Sequence, residues 1–190
     1  MNSYIKEINE VPVIANVDVL VCGTGPAGIG AAIMAARMGM SVMAVELQGC
    51  LGGIATAGMM SNWGGRSSSK IMPELWDLTY EKAQDIGWED GTWCGKDAIY
   101  HEVQKIVLEE MFQKEGIRVL YYTQFCKAVV EDGKIVGAIV ENKSGRGFIK
   151  AKRVIDSTGD GDVAASAGVP FVKGREEDGR MQPCTIMWGE

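Results

Sequence analysis

Residues Val17–Glu46 read VDVLVCGTGPAGIGAAIMAARMGMSVMAVE, and the fold turns on this stretch. It opens on Val17-Asp18-Val19-Leu20-Val21, a β-branched apolar run bounded by glycine, which is the pattern of a buried strand. Gly23, Gly25 and Gly28 follow in G-x-G-x-x-G spacing. Pro26 stands where a helix would begin, a position that tolerates proline because an N–H there has no intrahelical partner. Ala27, Ala31, Ala32, Ala35 and Ala36 then give a small-faced helix, and Gly39 marks its left-handed end. Ser41 to Val45 reads as a second strand with Glu46 at its carboxyl end. Each residue type has a task in a dinucleotide-binding βαβ unit: Gly23 for the tight turn, Gly25 for bare backbone beside a pyrophosphate, Gly28 for close helix packing. The helix N-terminus holds phosphates with free N–H groups and its dipole. Glu46, 18 residues after Gly28, lies at the right reach to accept ribose hydroxyls.

Composition narrows the class. The chain has 190 residues, 46% hydrophobic and 23% charged, enough for one domain with a real core. A net charge of −6 without a basic cluster argues against nucleic acid or an anionic membrane as partner. No basic-then-apolar start and no apolar run near 18 residues is present, so neither a secretory signal nor a membrane span is expected, and the cytoplasm is the expected compartment. The cysteines at 22, 50, 94, 126 and 184 are too scattered for a C-x-x-C pair or for a zinc or iron–sulfur ligand run. No metal site is expected. Cys22 reads as a small core residue and the others as free thiols.

Outward from the organising unit, residues 1–15 read as an edge or surface leader. Residues 47–70 are glycine-rich yet keep Ile, Leu, Met and Trp; Gly52, Gly53 and Thr56 are candidates to line a phosphate through N–H and hydroxyl groups, against the plainer reading of a surface loop. Residues 71–86 place Ile71, Leu75, Leu78 and Lys82 on one side of an amphipathic helix. A turn over 88–96 precedes a second helix from Asp97, with Ile99, Val103, Ile106 and Met111 directed at the core. Its His101 reads as a helix-surface histidine rather than a base. Ile117 to Tyr121 is a third parallel strand after a helical crossover.

The pattern then changes. Residues 124–131 alternate as a strand, Asp132-Gly133 is a hairpin turn, and 134–142 is the returning strand. A second turn, Ser144 to Gly147, leads to a short strand, FIKA. This antiparallel meander stands where an ordinary NAD dehydrogenase continues with another helix. Val154-Ile155-Asp156 is a further strand running into Thr158-Gly159-Asp160-Gly161-Asp162 and a small-residue helix. Glycine at a strand end again permits close approach to a ligand. The acidic pair Asp160 and Asp162 can accept hydroxyls of a sugar-alcohol chain, against the plainer reading of a helix N-cap, for which Asp162 is suited; the two readings are compatible with Asp160 facing the ligand and Asp162 capping.

With these residues quoted, the chain resembles the amino-terminal half of a bacterial FAD-dependent oxidoreductase of the two-dinucleotide-binding-domain class, related to the flavin subunit of heterodisulfide reductase. The resemblance rests on DVLVCGTGPAGIGAAIMAARMG, VELQG, LGGIATAG and VIDSTGDGDVAASAG, in that order. It implies a Rossmann-like α/β fold: a mostly parallel sheet, helices on both faces, and an inserted antiparallel β-meander. It implies FAD as cofactor, with Gly23, Gly25, Pro26, Ala27 and Gly28 at the pyrophosphate and Glu46 on the adenosine ribose. Gly52, Gly53 and Thr56 would continue toward the ribityl chain, backbone near Phe125 and Cys126 would meet the adenine, and Thr158, Gly159 and Asp160 would complete the site. The activity implied is hydride transfer between a small-molecule substrate and flavin N5, with no catalytic residue nominated in this chain. Residues 1–182 would form an incomplete flavin domain and 183–190 the start of a substrate domain, with self-association or a partner chain completing the site. Two rival readings use the same βαβ unit: an NAD(P)-dependent dehydrogenase, and a non-catalytic nucleotide-binding fragment or subunit that needs a partner chain. The meander and the TGDGD strand end count against the first.

Overall fold

The computed structural model describes residues 10–60, 71–86 and 100–185. The organising unit folds as its sequence dictates. Strand β1 (Val13–Cys22) runs into helix α1 (Pro26–Arg37), and β2 (Val42–Val45) returns parallel to β1, Val19 opposite Val42 and Cys22 opposite Val45. Helix α1 ends at Met38, and Gly39 takes φ +82°, the left-handed turn expected of it. Helices α2 (Ile71–Asp85) and α3 (His101–Lys114) form the crossover to β3 (Arg118–Leu120), which lies parallel to β2.

Strands β4 (Gln124–Glu131) and β5 (Lys134–Asn142) make the expected hairpin, with Asp132 and Gly133 both at positive φ as a two-residue turn of that type requires. The next expectation is corrected. The Ser144–Gly147 turn, the FIKA strand and the Val154–Asp156 strand are not three pieces: the turn is Lys143-Ser144, and one twelve-residue strand, β6 (Gly145–Asp156), follows. Its first half pairs antiparallel with β5 and much of its length parallel with β1, Phe148 opposite Val13 and Asp156 opposite Cys22. Meander and parallel sheet are therefore one six-stranded sheet, ordered β3-β2-β1-β6-β5-β4. This continuity places the end of β6 beside the end of β1.

Strand β1 is buried on both faces toward its end, which is why the sequence there is apolar without alternation. Val19, Val21, Ile29, Ile33, Leu75, Leu108 and Phe112 form one core with α1, α2 and α3. Leu20, Cys22, Val45, Val140 and Ile149 form the other, with Val163 of the short helix α4 (Asp162–Ser166). Helices thus lie on both faces, unequally. Two details differ from the sequence pattern. In α2 the buried stripe is Ile71, Leu75, Thr79 and Ala83, while Lys82 pairs with Glu110 of α3. In α3, Ile106 is exposed, and Val107, Leu108 and Phe112 take the core positions. Arg37 fastens the helical face: it is bidentate on Glu74 at 2.7 Å and also meets Glu115 at 2.7 Å.

The expected start of α3 at Asp97, its Ile99, the 88–96 turn and most of the leader lie outside the described residues, as does the substrate-domain start beyond residue 185.

Candidate functional site: one groove between two glycine turns

The carboxyl ends of β1, β2 and β6 open onto a single groove of about 950 Å3. Gly23, Gly25, Pro26 and Ala27 line it from the first turn, Glu46 from the end of β2, Gly53 from the following loop, Phe125 from β4, and Thr158 and Gly159 from the turn after β6. These residues lie up to 136 positions apart (Gly23 to Gly159) yet share one wall-to-wall space.

The three glycines of the first turn differ in what surrounds them. Gly23 has φ +89°, and a Cβ there would stand 2.3 Å from the Ser157 carbonyl oxygen. A Cβ on Gly28 would stand 2.1 Å from the Gly23 carbonyl oxygen and 3.2 Å from the Ser157 Cβ. Gly25 is open, with nothing within 4 Å. Gly23 and Gly28 therefore let the two turns press together, and Gly25 presents bare backbone to the groove. Gly53 closes on Gly25 from the other side, its added Cβ falling 2.9 Å from the Gly25 Cα. Backbone dominates this part of the groove. Helix α1 points its N-terminus at it, Pro26 leaves no N–H to be satisfied, and no Lys or Arg is among the described lining residues. A helix start of this kind offers free N–H groups and the positive end of a dipole.

Glu46 is buried, 5% exposed, and its carboxylate is already held. Oε2 accepts the Thr24 backbone N–H at 2.8 Å and the Thr24 hydroxyl at 2.5 Å, while Oε1 accepts the Gln48 N–H at 2.8 Å. At the end of β6, Asp156 repeats the device locally. Its Oδ1 accepts Thr158 N–H and hydroxyl at 3.2 and 2.7 Å, and Oδ2 accepts Ala164 N–H at 2.9 Å. Burial pushes the Asp156 carboxyl pKa up, but the hydrogen bonds from Ala164 and Thr158 outweigh it, and the net direction is downward.

Not every expected residue faces the groove. Gly28 packs behind the turn. Gly52 gives its N–H to the Thr24 carbonyl at 2.9 Å, and Thr56, 1% exposed, donates its hydroxyl to the Leu51 carbonyl; both build the loop wall, and Ile54, Ala57 and Gly58 line the groove instead. Cys126 is the extra residue of a β-bulge, between Phe125 opposite Val140 and Lys127 opposite Ile139, which turns it away to the exposed side near Glu141. Asp160 is exposed and off the groove; Asp162 lines it. Nor is Asp162 the helix cap. Gly161, at φ +74°, precedes α4 without a side-chain cap, and Asp156 and Thr158 receive the N–H groups of Ala164 and Asp162. Sequence reasoning missed Thr24, Gln48, Thr123, Asp156, Ser157 and Asp162 as lining residues. For Asp156 a signal existed, an acid closing a strand two residues before Thr.

Cys22 is fully buried and burial pushes its pKa up to about 12, as suits a core residue. Cys50 lies 4.0 Å from the Thr56 hydroxyl, and it, Cys126 and Cys184 are free. His101 opens α3, half-buried, its Nδ1 3.4 Å from the Ala55 carbonyl oxygen. Among the described residues no three His, Cys, Asp or Glu side chains gather as metal ligands, and no helix is long and apolar enough to cross a membrane.

A groove between two glycine turns at the carboxyl ends of parallel strands, with a buried carboxylate at its side, is the arrangement of a dinucleotide-binding α/β fold. The family model for FAD dependent oxidoreductases matches residues 18–189, and the chain belongs to that family. Thioredoxin reductase of Ureaplasma parvum serovar 3 (strain ATCC 700970) is 32% identical over 113 residues, covering 60% of this chain and 33% of that protein. The chain thus spans about a third of the length of that curated relative. Among solved structures, a flavin-dependent brominase superposes with TM-score 0.58 at 17% identity, covering 82% of this chain and 41% of its own. THI4 of Thermovibrio ammonificans gives 0.56 at 19%, covering 84% and 67%. A geranylgeranyl bacteriochlorophyll reductase-like protein of Thermoplasma acidophilum gives 0.54 at 23%, covering 81% and 42%. At these identities the likeness is one of fold.

Proposed function

We propose that this chain binds FAD in the groove and serves as the flavin-holding part of an oxidoreductase that passes hydride between a small-molecule substrate and flavin N5. The observation that carries the reading is the convergence of Gly25 and Gly159 on one groove, with Glu46 at its side. Gly25, Pro26, Ala27 and Gly53 would face the pyrophosphate, Glu46 the adenosine ribose, and backbone near Phe125 the adenine. Gly159, Thr158 and Asp162 would meet the part leading to the ring. The residues fit the group: the open space at Gly25 and Gly159 is where backbone must stay bare, and the absence of lining cations among the described residues matches phosphates held by N–H groups. Bound FAD would supply the two-electron chemistry, and the protein binding, orientation and charge. The substrate is a small molecule, the compartment cytoplasmic, and a further segment, a second copy or a partner chain covers the open side. Exposed Val169, Phe171 and Val172 support that covering.

The test is spectroscopic. The purified chain, titrated with FAD, should develop bound-flavin bands near about 370 and 450 nm and quench flavin fluorescence. Binding of NADP or NAD without any binding of FAD would overturn the reading.

A further inference from the structure

Thr24 joins three loops of the groove at once. It is fully buried; its N–H and hydroxyl both go to Glu46 Oε2, and its carbonyl accepts the Gly52 N–H at 2.9 Å. The glycine turn, the end of β2 and the 51–58 loop meet on this one residue. Its effect on Glu46 is countable. A carboxylate offers about four lone-pair sites, two on each oxygen. Thr24 fills both on Oε2, and Gln48 N–H fills one on Oε1. One site remains, on Oε1.

We infer that Thr24 is a positioning residue that limits Glu46 to one hydroxyl of the nucleotide ribose, accepted at Oε1. The inference rests on the FAD reading above and refines it. A free carboxylate pairs with both vicinal ribose hydroxyls, one on each oxygen. This one has a single charged acceptor to give, so the two hydroxyls are unequal: removing the accepted one leaves a buried acceptor unpaired, and removing the other leaves Glu46 untouched. Thr24→Val keeps the shape and the backbone N–H bond but removes the hydroxyl donor, which opens a second site on Oε2. Thr24→Ser keeps the donor.

The experiment measures dissociation constants of ADP, 2′-deoxy-ADP and 3′-deoxy-ADP for the full chain by calorimetry, with FAD titrated alongside. In the unsubstituted protein one deoxy analogue should bind about tenfold more weakly than ADP and the other within about twofold. In Thr24→Val both analogues should be weakened by similar factors, and Thr24→Ser should restore the inequality. A loosened fold scales all three ligands together and leaves their ratios unmoved, so the ratios report on the carboxylate. Equal penalties for the two analogues in the unsubstituted protein, a result that needs no variant to fold, would overturn the proposal, as would an unchanged inequality in Thr24→Val. FAD binding with equal penalties removes this inference alone. Failure of both FAD and ADP to bind removes the flavin reading together with it.

Discussion

Two strand-end carboxylates in this protein are held by the same chemistry over very different distances. Glu46 takes a backbone N–H and a hydroxyl from Thr24, 22 residues away; Asp156 takes the same pair from Thr158, two residues on. The second arrangement is an Asx-type turn that a short peptide can adopt by itself. The first exists only when β1 and β2 lie side by side, so it belongs to the folded sheet. The groove combines a turn that organises itself with one that tertiary structure must assemble. They are joined at the Gly23–Gly28–Ser157 contact.

Substitution at that contact should disturb the fold most. Gly28→Ala gains about 1 kcal/mol of helix propensity. It also drives a Cβ to 2.1 Å from the Gly23 carbonyl oxygen, which is backbone and cannot swing aside. Overpacking of this kind costs about 3 kcal/mol, so the cost wins, and chemical denaturation should show a net loss near 2 kcal/mol with FAD binding abolished. Gly25→Ala is the contrasting change. The site is open and its φ of −65° suits any residue, so stability should fall by less than about 1 kcal/mol. The methyl would nevertheless enter the proposed pyrophosphate site, and FAD affinity should fall at least about tenfold. Equal effects of the two substitutions on unfolding would dissolve the distinction between a packing glycine and a ligand-facing one.

The two turns were also unequally legible. The first could be read down to Glu46 because its constraints are local or nearly so: an apolar run, glycines at fixed spacing, Pro26, and an acid at the next strand end. Its most connected residue, Thr24, carried no sequence signal, since what makes it important is contact with Glu46 and Gly52, both distant in the chain. The second turn misled by one step. Asp162 has the composition of a helix cap, but β6 runs unbroken from Gly145 and sets Asp156 at the position where its carboxylate reaches the first N–H groups of α4. The cap came from inside the strand. Gly52, Thr56 and Cys126 stand off the groove for a related reason: neither the path of a glycine-rich loop nor a β-bulge leaves a mark in hydrophobic periodicity.

The local turn should respond to acid in a defined direction. Asp156 has a folded-state pKa below its ordinary value near 3.9, so its stabilising contribution is complete above about pH 4 and is lost as pH falls through the lower folded value. Asp156→Asn should remove that contribution at neutral pH, since one carboxylate oxygen becomes an NH2 group facing an N–H donor. The expected loss is about 1.5 kcal/mol in urea denaturation at pH 7, with a smaller difference from the parent protein at pH 3. A difference that grows on acidification would mean that the Thr158 and Ala164 bonds do not stabilise the ionised form.

The smallest effect separates the two aspartates of TGDGD. Asp160 is exposed and outside the groove, so Asp160→Asn should leave FAD affinity within about twofold and stability within about 0.5 kcal/mol. Asp162 lines the groove at the first turn of α4, where its carboxylate has free acceptors and where a sugar-alcohol chain offers hydroxyl donors. Asp162→Asn retains shape and one acceptor, so the loss should be modest, about threefold to tenfold in FAD affinity, without a matching loss for ADP, which lacks that chain. The sequence pattern assigns the ligand to Asp160, and β6 followed by the Asp156 turn shifts the facing residue two positions along. If Asp160→Asn weakens FAD and Asp162→Asn does not, the turn closes on its ligand in a different register, and the Asp156–Thr158 bonds must rearrange when the groove fills.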